Sequence, residues 1–448
     1  MEHNKNKREY AFLSTILLVA ILFSFYPHLN YPYPLHRDEW DRITLANAVI
    51  HEKSTVFPDP FLGERVFDSH LEIGFILLLA EIKLTSGLSW ESIFRYFPVL
   101  ISALITLSVY ILARRLGYGL HAAFFASLIP TSVRLLGPAF FVPVSLALTF
   151  LPLSIYLLLF YKSAKGRAVF SIFLCFLLYE HPPTGVALLL ISAIYIIKEK
   201  EPKIIPWILA AVILSIPQFL PFIESKGEEV LIFKTFVHFS DLFTEYGLLP
   251  SLLFVVGSFL LLKKNERDVI FVYSAAVLLI LNFLYRRLEW TFLIMPERNY
   301  LYLMLLMSLP AGFALAKVKN PGLSVLLILA TFILAFQNLI STPFYHIIDE
   351  REYDDFLWIK ENLEGRALID PWKAIAFTAL AEKPVYSTIS LGPNPKAEER
   401  NRAIARFFEN ACNDTEFLRK NNISIVYSYV NCKNPDLEKI KDRIYVLR

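Results

Sequence analysis

Seven consecutive residues, His36-Arg37-Asp38-Glu39-Trp40-Asp41-Arg42, carry six ionisable side chains shortly after the first apolar run. Adjacent carboxylates offer a general base, or hard oxygen ligands for a divalent ion that bridges phosphates. Asp38 and Glu39 are the first candidates for either task. The plain structural reading of such a pair is charge at a helix N-terminus, worth ~0.3–1 kcal/mol against the macrodipole. His70, in Phe67-Asp68-Ser69-His70-Leu71-Glu72-Ile73-Gly74, is a third candidate, weighed against simple interfacial polarity. Arg286, Arg287 and Arg298 gather near one loop. A guanidinium pairs bidentately with phosphate oxygens, so these three suggest a phosphate clamp; solvated or headgroup-bound arginines are the alternative. Glu180-His181-Pro182-Pro183 reads as a hairpin where prolines break two helices.

The elements that must position these groups are apolar. Of 448 residues, 55% are hydrophobic and only 19% charged, against roughly 25% charged in a soluble globular chain. Mean hydropathy is +0.48. A cytosolic enzyme, a secreted disulfide scaffold and a disordered regulator are excluded. Runs such as Phe12–Phe25, Phe94–Ala113, Phe140–Tyr161 and Leu301–Ala316 approach the ~20 residues that an α-helix needs to cross a bilayer. The fold class is therefore a polytopic α-helical membrane protein. A net charge of +3 makes no case for a nucleic-acid partner.

Basic clusters set the orientation: Lys5/Lys7/Arg8, Arg114/Arg115, Lys162/Lys165/Arg167, Lys198/Lys200/Lys203, Lys263/Lys264/Arg267 and Lys317/Lys319. If all face the cytoplasm, each interval holds an even number of crossings. Ile73–Leu84, which carries Glu81 and Lys83, is then an interfacial helix and not a span. About eleven crossings result, including Ala122–Leu136, with the N-terminus cytoplasmic and the C-terminus outside, in the plasma membrane. The first span reads as uncleaved, because Tyr26-Pro27-His28 is a poor cleavage site.

Two regions then face outward, the first loop (29–73) of a transmembrane domain spanning 1–344, and a tail domain, 345–448. The tail has a small α/β pattern: helix Tyr353–Glu361, strand Ala367–Ile369, helix Ala374–Glu382, strand Val385–Tyr386, helix Ala397–Asn410, then strands Ile423–Tyr429 and Ile444–Leu447. Asp370-Pro371 and Leu391-Gly392-Pro393 are its turn signals. Cys412 and Cys432 could pair there if the tail meets an oxidising side, whereas Cys175 packs in an apolar run.

This layout resembles the GT-C glycosyltransferase superfamily, nearest to protein O-mannosyltransferases and the lipid A aminoarabinose transferase. Asp38-Glu39 matches the acidic pair that opens the loop, and Ala46 lies in the expected following helix. His70-Leu71-Glu72-Ile73-Gly74 matches the next motif loosely, without its prolines. Arg95-x-x-Pro98, Ala113-Arg114-Arg115-Leu116-Gly117 and Pro296-Glu297-Arg298-Asn299-Tyr300 through Pro310 are similar to the family's second and late spans. Arg134–Phe141 departs from the pattern, since it lacks the carboxylate many relatives carry there. The resemblance implies an inverting membrane hexosyl or pentosyl transferase. Its donor would be a polyprenyl-phosphate-linked sugar and its acceptor a glycan, lipid or protein. Asp38, Glu39 and His70 would be catalytic, and Arg298, Arg286 and Arg287 would hold the donor phosphate. A divalent metal, Mg or Mn, on Asp38 and Glu39 is the cofactor the pattern allows. The alternatives are a secondary transporter or lipid-linked sugar flippase, and a catalytically silent GT-C-like scaffold.

Overall fold

The computed structural model describes residues 2–63, 66–67, 72–224, 238, 240–288, 294–389 and 394–448. His70 and Leu391-Gly392-Pro393, singled out in the sequence, lie outside the described residues. In chain order the elements are α1 (Glu2–Phe25), α2 (Arg37–Glu52), β1 (Phe57–Pro58), β2 (Val66–Phe67), α3 (Ile73–Ser86), α4 (Trp90–Arg114), α5 (Gly119–Ala126), α6 (Pro143–Phe160), α7 (Ala164–Glu180) and α8 (Pro182–Glu199). They continue with α9 (Ile205–Glu224), α10 (Asp241–Glu245), α11 (Leu248–Lys264), α12 (Val269–Leu288), α13 (Pro296–Ala316) and α14 (Pro321–Ser341). The tail adds α15 (Glu350–Asn362), β3 (Arg366–Leu368), α16 (Ala374–Ala381), α17 (Pro395–Glu409), α18 (Thr415–Lys420), β4 (Ile423–Tyr427), β5 (Leu437–Lys439) and β6 (Ile444–Leu447).

Among the described residues, eight helices are long and apolar enough to cross a membrane: α1, α4, α6, α8, α9, α12, α13 and α14. The chain is a polytopic helical membrane protein with a small α/β tail. Two further apolar helices, α7 and α11, have 17 residues each, about 26 Å at 1.5 Å per residue, close to the ~30 Å hydrocarbon core. The expected span Ala122–Leu136 takes another form. Helix α5 stops at Ala126, and the chain runs on to Val142 without a helix. Pro130, Gly137 and Pro138 break the pattern there, because proline cannot donate to a helical ladder. Irregular backbone is tolerated at membrane depth only under protein cover; Leu128, Ile129, Leu135, Leu136 and Phe140 are all buried. The segment satisfies its own polar groups, with the Ala139 N–H donating to Thr131 Oγ1 at 2.9 Å and the Gly137 N–H to the Leu135 carbonyl at 2.7 Å.

Helix α13 is the spine, with nearly every residue buried. It packs against α5, α11 and α12. Gly257 makes the α11 crossing close, since a Cβ there would lie 1.8 Å from the Pro310 carbonyl oxygen. Helix α14, in contrast, leaves Leu323, Leu326, Leu329 and Ile333 exposed, as a lipid-facing helix would.

Helix α2 is the element that matters for the site. Its apolar residues Trp40, Ile43, Ala46 and Val49 are buried, sandwiched between α3 and the tail's α16. Polar contacts pin the second interface: the Asn47 side-chain amide donates to the Ala379 carbonyl at 2.9 Å, and the Trp90 indole N–H to Asn47 Oδ1 at 3.0 Å. Helix α3, expected at the interface, has 14 residues, about 21 Å long, and buries Phe75, Ile76, Leu79 and Ala80.

The tail follows the expected order with two additions, α18 and the short edge strand β5. Its four strands lie in the order β3-β4-β6-β5, with β3 parallel to β4 and the other pairs antiparallel. Val385 contributes one parallel bridge to Ala367 and no strand. Ile348, Phe356 and Phe377 share one continuous core with Trp40 and Ile43, while the outer face of the sheet has its own small core around Phe407, Leu418 and Val426. Cys412 and Cys432 form a disulfide with Cα atoms 5.1 Å apart, closing 20 positions of sequence. A loop of that size constrains the unfolded chain by about 3 kcal/mol in the entropic account. Cys412→Ala with Cys432→Ala should therefore lower the tail's unfolding temperature in a calorimetric scan and abolish its sensitivity to reductant; an unchanged scan would refute a stabilising role.

Candidate functional site

The site starts at the first turn of α2. His36 caps the helix, its Nδ1 accepting the Asp38 backbone N–H at 3.1 Å. That places the Asp38 carboxylate at the positive helix end, with 16% of its side chain exposed. Arg298 comes from the first turn of α13, far away in sequence, and brings Nη2 within 3.6 Å of Asp38 Oδ2. A cation at a helix N-terminus opposes the macrodipole, so Arg298 owes its place to the anion facing it. Burial acts to raise the Asp38 carboxyl. The charges of His36, Arg298, Arg42 and Arg37 outweigh it and hold its pKa below the ordinary value. Burial lowers the pKa of His36. It also pushes Asp41 up to about 6, against the guanidiniums of Arg37 and Arg42.

Glu39 points elsewhere. It is fully buried, with Oε2 accepting the backbone N–H groups of Leu35 and His36 at 2.8 and 3.0 Å, and Oε1 accepting that of Phe141 at 2.9 Å. It closes a capping box on His36 and fastens α2 to the irregular segment after α5. Burial raises its pKa to about 8 despite those three N–H bonds, and the Asp38 charge adds to the rise. The two carboxylates expected to share a metal therefore diverge. Among the described residues no group of three or more His, Cys, Asp or Glu side chains is placed to hold a metal ion. Asp38 and Glu39 as placed do not share one, because an arginine faces the free side of Asp38 and both Glu39 oxygens are taken by backbone.

A second polar arm adjoins the first. Arg42, one turn beyond Asp38, pairs with Glu72 ahead of α3. Glu72 Oε1 also lies 3.5 Å from Nε2 of the buried His181. The His181 Nδ1 side is held by Thr184 Oγ1 at 2.7 Å and Tyr302 OH at 3.2 Å, which bond each other at 2.8 Å. Glu180 is fully buried, and among the described residues neither of its oxygens has a hydrogen-bond partner. Gly74 allows this crowding, since a Cβ there would meet the Tyr179 backbone at 2.8 Å.

The structure thus joins Asp38 with Arg298, two of the expected site residues. It sends Glu39 into backbone support. Arg287 lies exposed over the Phe283 ring, 5.7 Å from its centroid, and Arg286 is exposed beside it at the end of α12; neither is in contact with Asp38. The sequence reading missed Arg42, Glu72, His181, Thr184 and Tyr302 as partners. Only the histidine flanked by Glu180 and two prolines carried a signal, and proline punctuation explained it adequately.

No protein-family profile and no curated protein matches the sequence. Solved structures do. The Archaeoglobus fulgidus oligosaccharyltransferase tethered with an acceptor peptide containing the NVT sequon is similar over 96% of this chain and 70% of its own, at 12% identity and a TM-score of 0.59. The same enzyme in complex with Zn and sulfate is similar over 93% of this chain and 67% of its own, at 13% identity and a TM-score of 0.58. Likeness at that identity is likeness of fold. Together with the membrane helices and the loop that carries α2, it shows that this chain has the GT-C fold of that enzyme.

Proposed function

We propose that the protein is a membrane glycosyltransferase that moves a sugar from a polyprenyl-phosphate-linked donor to an acceptor outside the plasma membrane. The observation that carries this reading is the partly exposed Asp38–Arg298 pair, assembled by two helix N-termini. The acceptor nucleophile attacks the anomeric carbon as the carbon–oxygen bond to phosphate breaks, inverting the centre. The bonding pair leaves with the phosphate, and the acceptor proton passes to Asp38. Arg298 faces the charge that develops on the leaving phosphate. Docking of phosphate on Arg298 also draws that cation from Asp38, which raises the carboxylate's basicity when the acceptor arrives. His70, in the same loop, is retained as a candidate partner. Arg286 and Arg287 are assigned to lipid headgroups near the donor's entry.

The same reading puts the N-terminus in the cytoplasm, and 29–73 and the 345–448 domain outside, where a disulfide persists. The acceptor is a glycan, lipid or protein; the tethered acceptor peptide of the archaeal neighbour supports the last. Membranes carrying the protein should release polyprenyl phosphate from a radiolabelled polyprenyl-phosphate hexose or pentose. Arg298→Lys should raise the donor KM on the order of tenfold, because a point charge cannot reproduce a bidentate fork. Release no faster than in membranes lacking the protein, across both sugar classes, would refute the reading.

A further inference from the structure

Arg95, in the second turn of α4, has no task in the proposed reaction. It is half-buried. Its Nε is enclosed by protein without a hydrogen-bond partner, and no carboxylate pairs with it among the described residues. The guanidinium carbon stands 5.6 Å from the centroid of the Phe25 ring and 5.7 Å from that of Tyr96. These two rings are nearly parallel, 6.1 Å apart. Both distances allow cation–π attraction, which orients the guanidinium plane and leaves its N–H fork open.

The same two helices also meet at their other ends, and there the chain itself supplies an anion. Arg114, in the last turn of α4, lies 5.8 Å from the Tyr110 ring centroid and pairs through Nε with Glu9 Oε1 of α1 at 3.0 Å. The Tyr110 hydroxyl donates to that same oxygen at 2.6 Å. Midway, Ser102 Oγ donates to the Ala20 carbonyl at 3.1 Å, so α1 and α4 run antiparallel in one continuous contact. An arginine beside aromatic rings is thus built at both ends of this helix pair. A carboxylate completes only one of them.

The Arg95 end heads an apolar groove. Leu18, Leu22 and Phe25 share one face of α1, and Tyr96 and Leu100 share one face of α4, at helical spacing. Leu18, Leu22, Tyr96 and Leu100 are all more than half exposed. Because Phe25 stacks on Tyr96, these two faces border each other. Leu18 lies about 10 Å along α1 from Phe25 at 1.5 Å per residue, within one leaflet of a hydrocarbon core ~30 Å thick. Phe94, next to Arg95, packs on Phe141, whose N–H is bonded to Glu39. The groove therefore lies on a different face of α4 from the Asp38 site.

We propose that Arg95 and this groove bind an anionic membrane phospholipid, its phosphodiester on the guanidinium fork and one chain along Leu22, Leu18 and Leu100. A phosphodiester presents the paired oxygens that a guanidinium takes bidentately. It replaces at Arg95 the carboxylate that Glu9 gives to Arg114, and its single negative charge matches a single arginine. Seated there, the lipid braces the end of α1 from which the chain runs on to α2 and Asp38. The proposal does not depend on the sugar-transfer reading.

The purified full chain in detergent would be titrated with dioleoylphosphatidylglycerol, and bound lipids counted by native mass spectrometry. Wild type should retain one such lipid saturably, and bind the zwitterionic dioleoylphosphatidylcholine severalfold more weakly. Arg95→Gln should weaken phosphatidylglycerol by about tenfold or more, since it removes a charge-assisted bidentate contact. Arg95→Lys should fall between the two, because a point charge cannot reproduce the fork. Tyr96→Ala, at an exposed ring, should weaken binding severalfold, and it carries the test if Arg95→Gln does not fold. Lys319→Gln, at an exposed cation ahead of α14, should change nothing. The tailless headgroup glycerophosphoglycerol should not compete at concentrations where the lipid saturates. No retained lipid in wild type, unchanged binding in Arg95→Gln (or in Tyr96→Ala where that variant carries the test), an equal loss in Lys319→Gln, or full competition by the tailless headgroup overturns the proposal.

Discussion

Asp38→Asn should abolish measurable sugar transfer, a loss of 10²–10⁴-fold from general-base assistance alone, in a protein that still folds. The substitution preserves size and hydrogen-bonding shape. It removes the charge that faces Arg298 at 3.6 Å and the acceptor for the nucleophile's proton. The stability effect is smaller, because helix N-terminal charge is worth ~0.3–1 kcal/mol. Its pH dependence has a definite sign. The folded pKa of Asp38 lies below its ordinary value, so the carboxylate contributes stability above the unfolded pKa and loses it as pH falls through the folded one. Wild type and variant should therefore differ in unfolding temperature at pH 7 and converge in acid. Initial rates of lipid-phosphate release at pH 7, beside melting curves at pH 7 and at a pH well below the ordinary aspartate value of about 3.9, check both parts. Transfer by Asp38→Asn at the wild-type rate would remove Asp38 from the chemistry.

The sequence made α2 legible for local reasons. A polar cap, two acids in the first turn and apolar residues at helical spacing place Asp38 at a helix start wherever the helix docks. Arg298 was legible by type and by the proline two residues earlier, which opens α13. What joins the two is tertiary packing, and pattern alone does not encode it. The same limit hid the Glu72–His181 contact, which needs α3 to meet the α7–α8 junction. The backbone contacts of Glu39 were hidden for a different reason. A carboxylate that caps its own helix looks in sequence like one that does chemistry, and only the Phe141 N–H arriving from another segment separates the cases. Apolar composition likewise cannot tell a spanning helix from buried irregular chain, so Ala122–Leu136 read as a span although Pro130, Gly137 and Pro138 were in view. In the tail, the longer helices and β3, β4 and β6 followed from periodicity. The three-residue edge strand β5, with Glu438 and Lys439 outward, has too little pattern to be seen.

Glu39→Gln should give the converse result, a protein that loses stability and keeps its chemistry. Three backbone N–H groups converge on the two Glu39 oxygens, and glutamine offers one. Either the capping pair at Leu35 and His36 or the Phe141 N–H is left buried without an acceptor, which costs about 1–3 kcal/mol. Because Glu39 fastens both the start of α2 and the segment behind it, that cost should appear as a lower melting temperature. Transfer per folded molecule should stay within a few-fold of wild type, since Asp38 and Arg298 keep their contacts. The pH test again has a sign. Burial raises the Glu39 pKa to about 8 in the folded chain, above an unfolded value near 4.3. A raised acid contributes stability that is fully present below the unfolded pKa and is lost as pH rises through the folded one. Glutamine does not titrate, so the gap between wild type and variant should narrow as pH climbs from about 5 to about 8. An unchanged melting temperature together with abolished transfer would instead put Glu39 in the reaction beside Asp38.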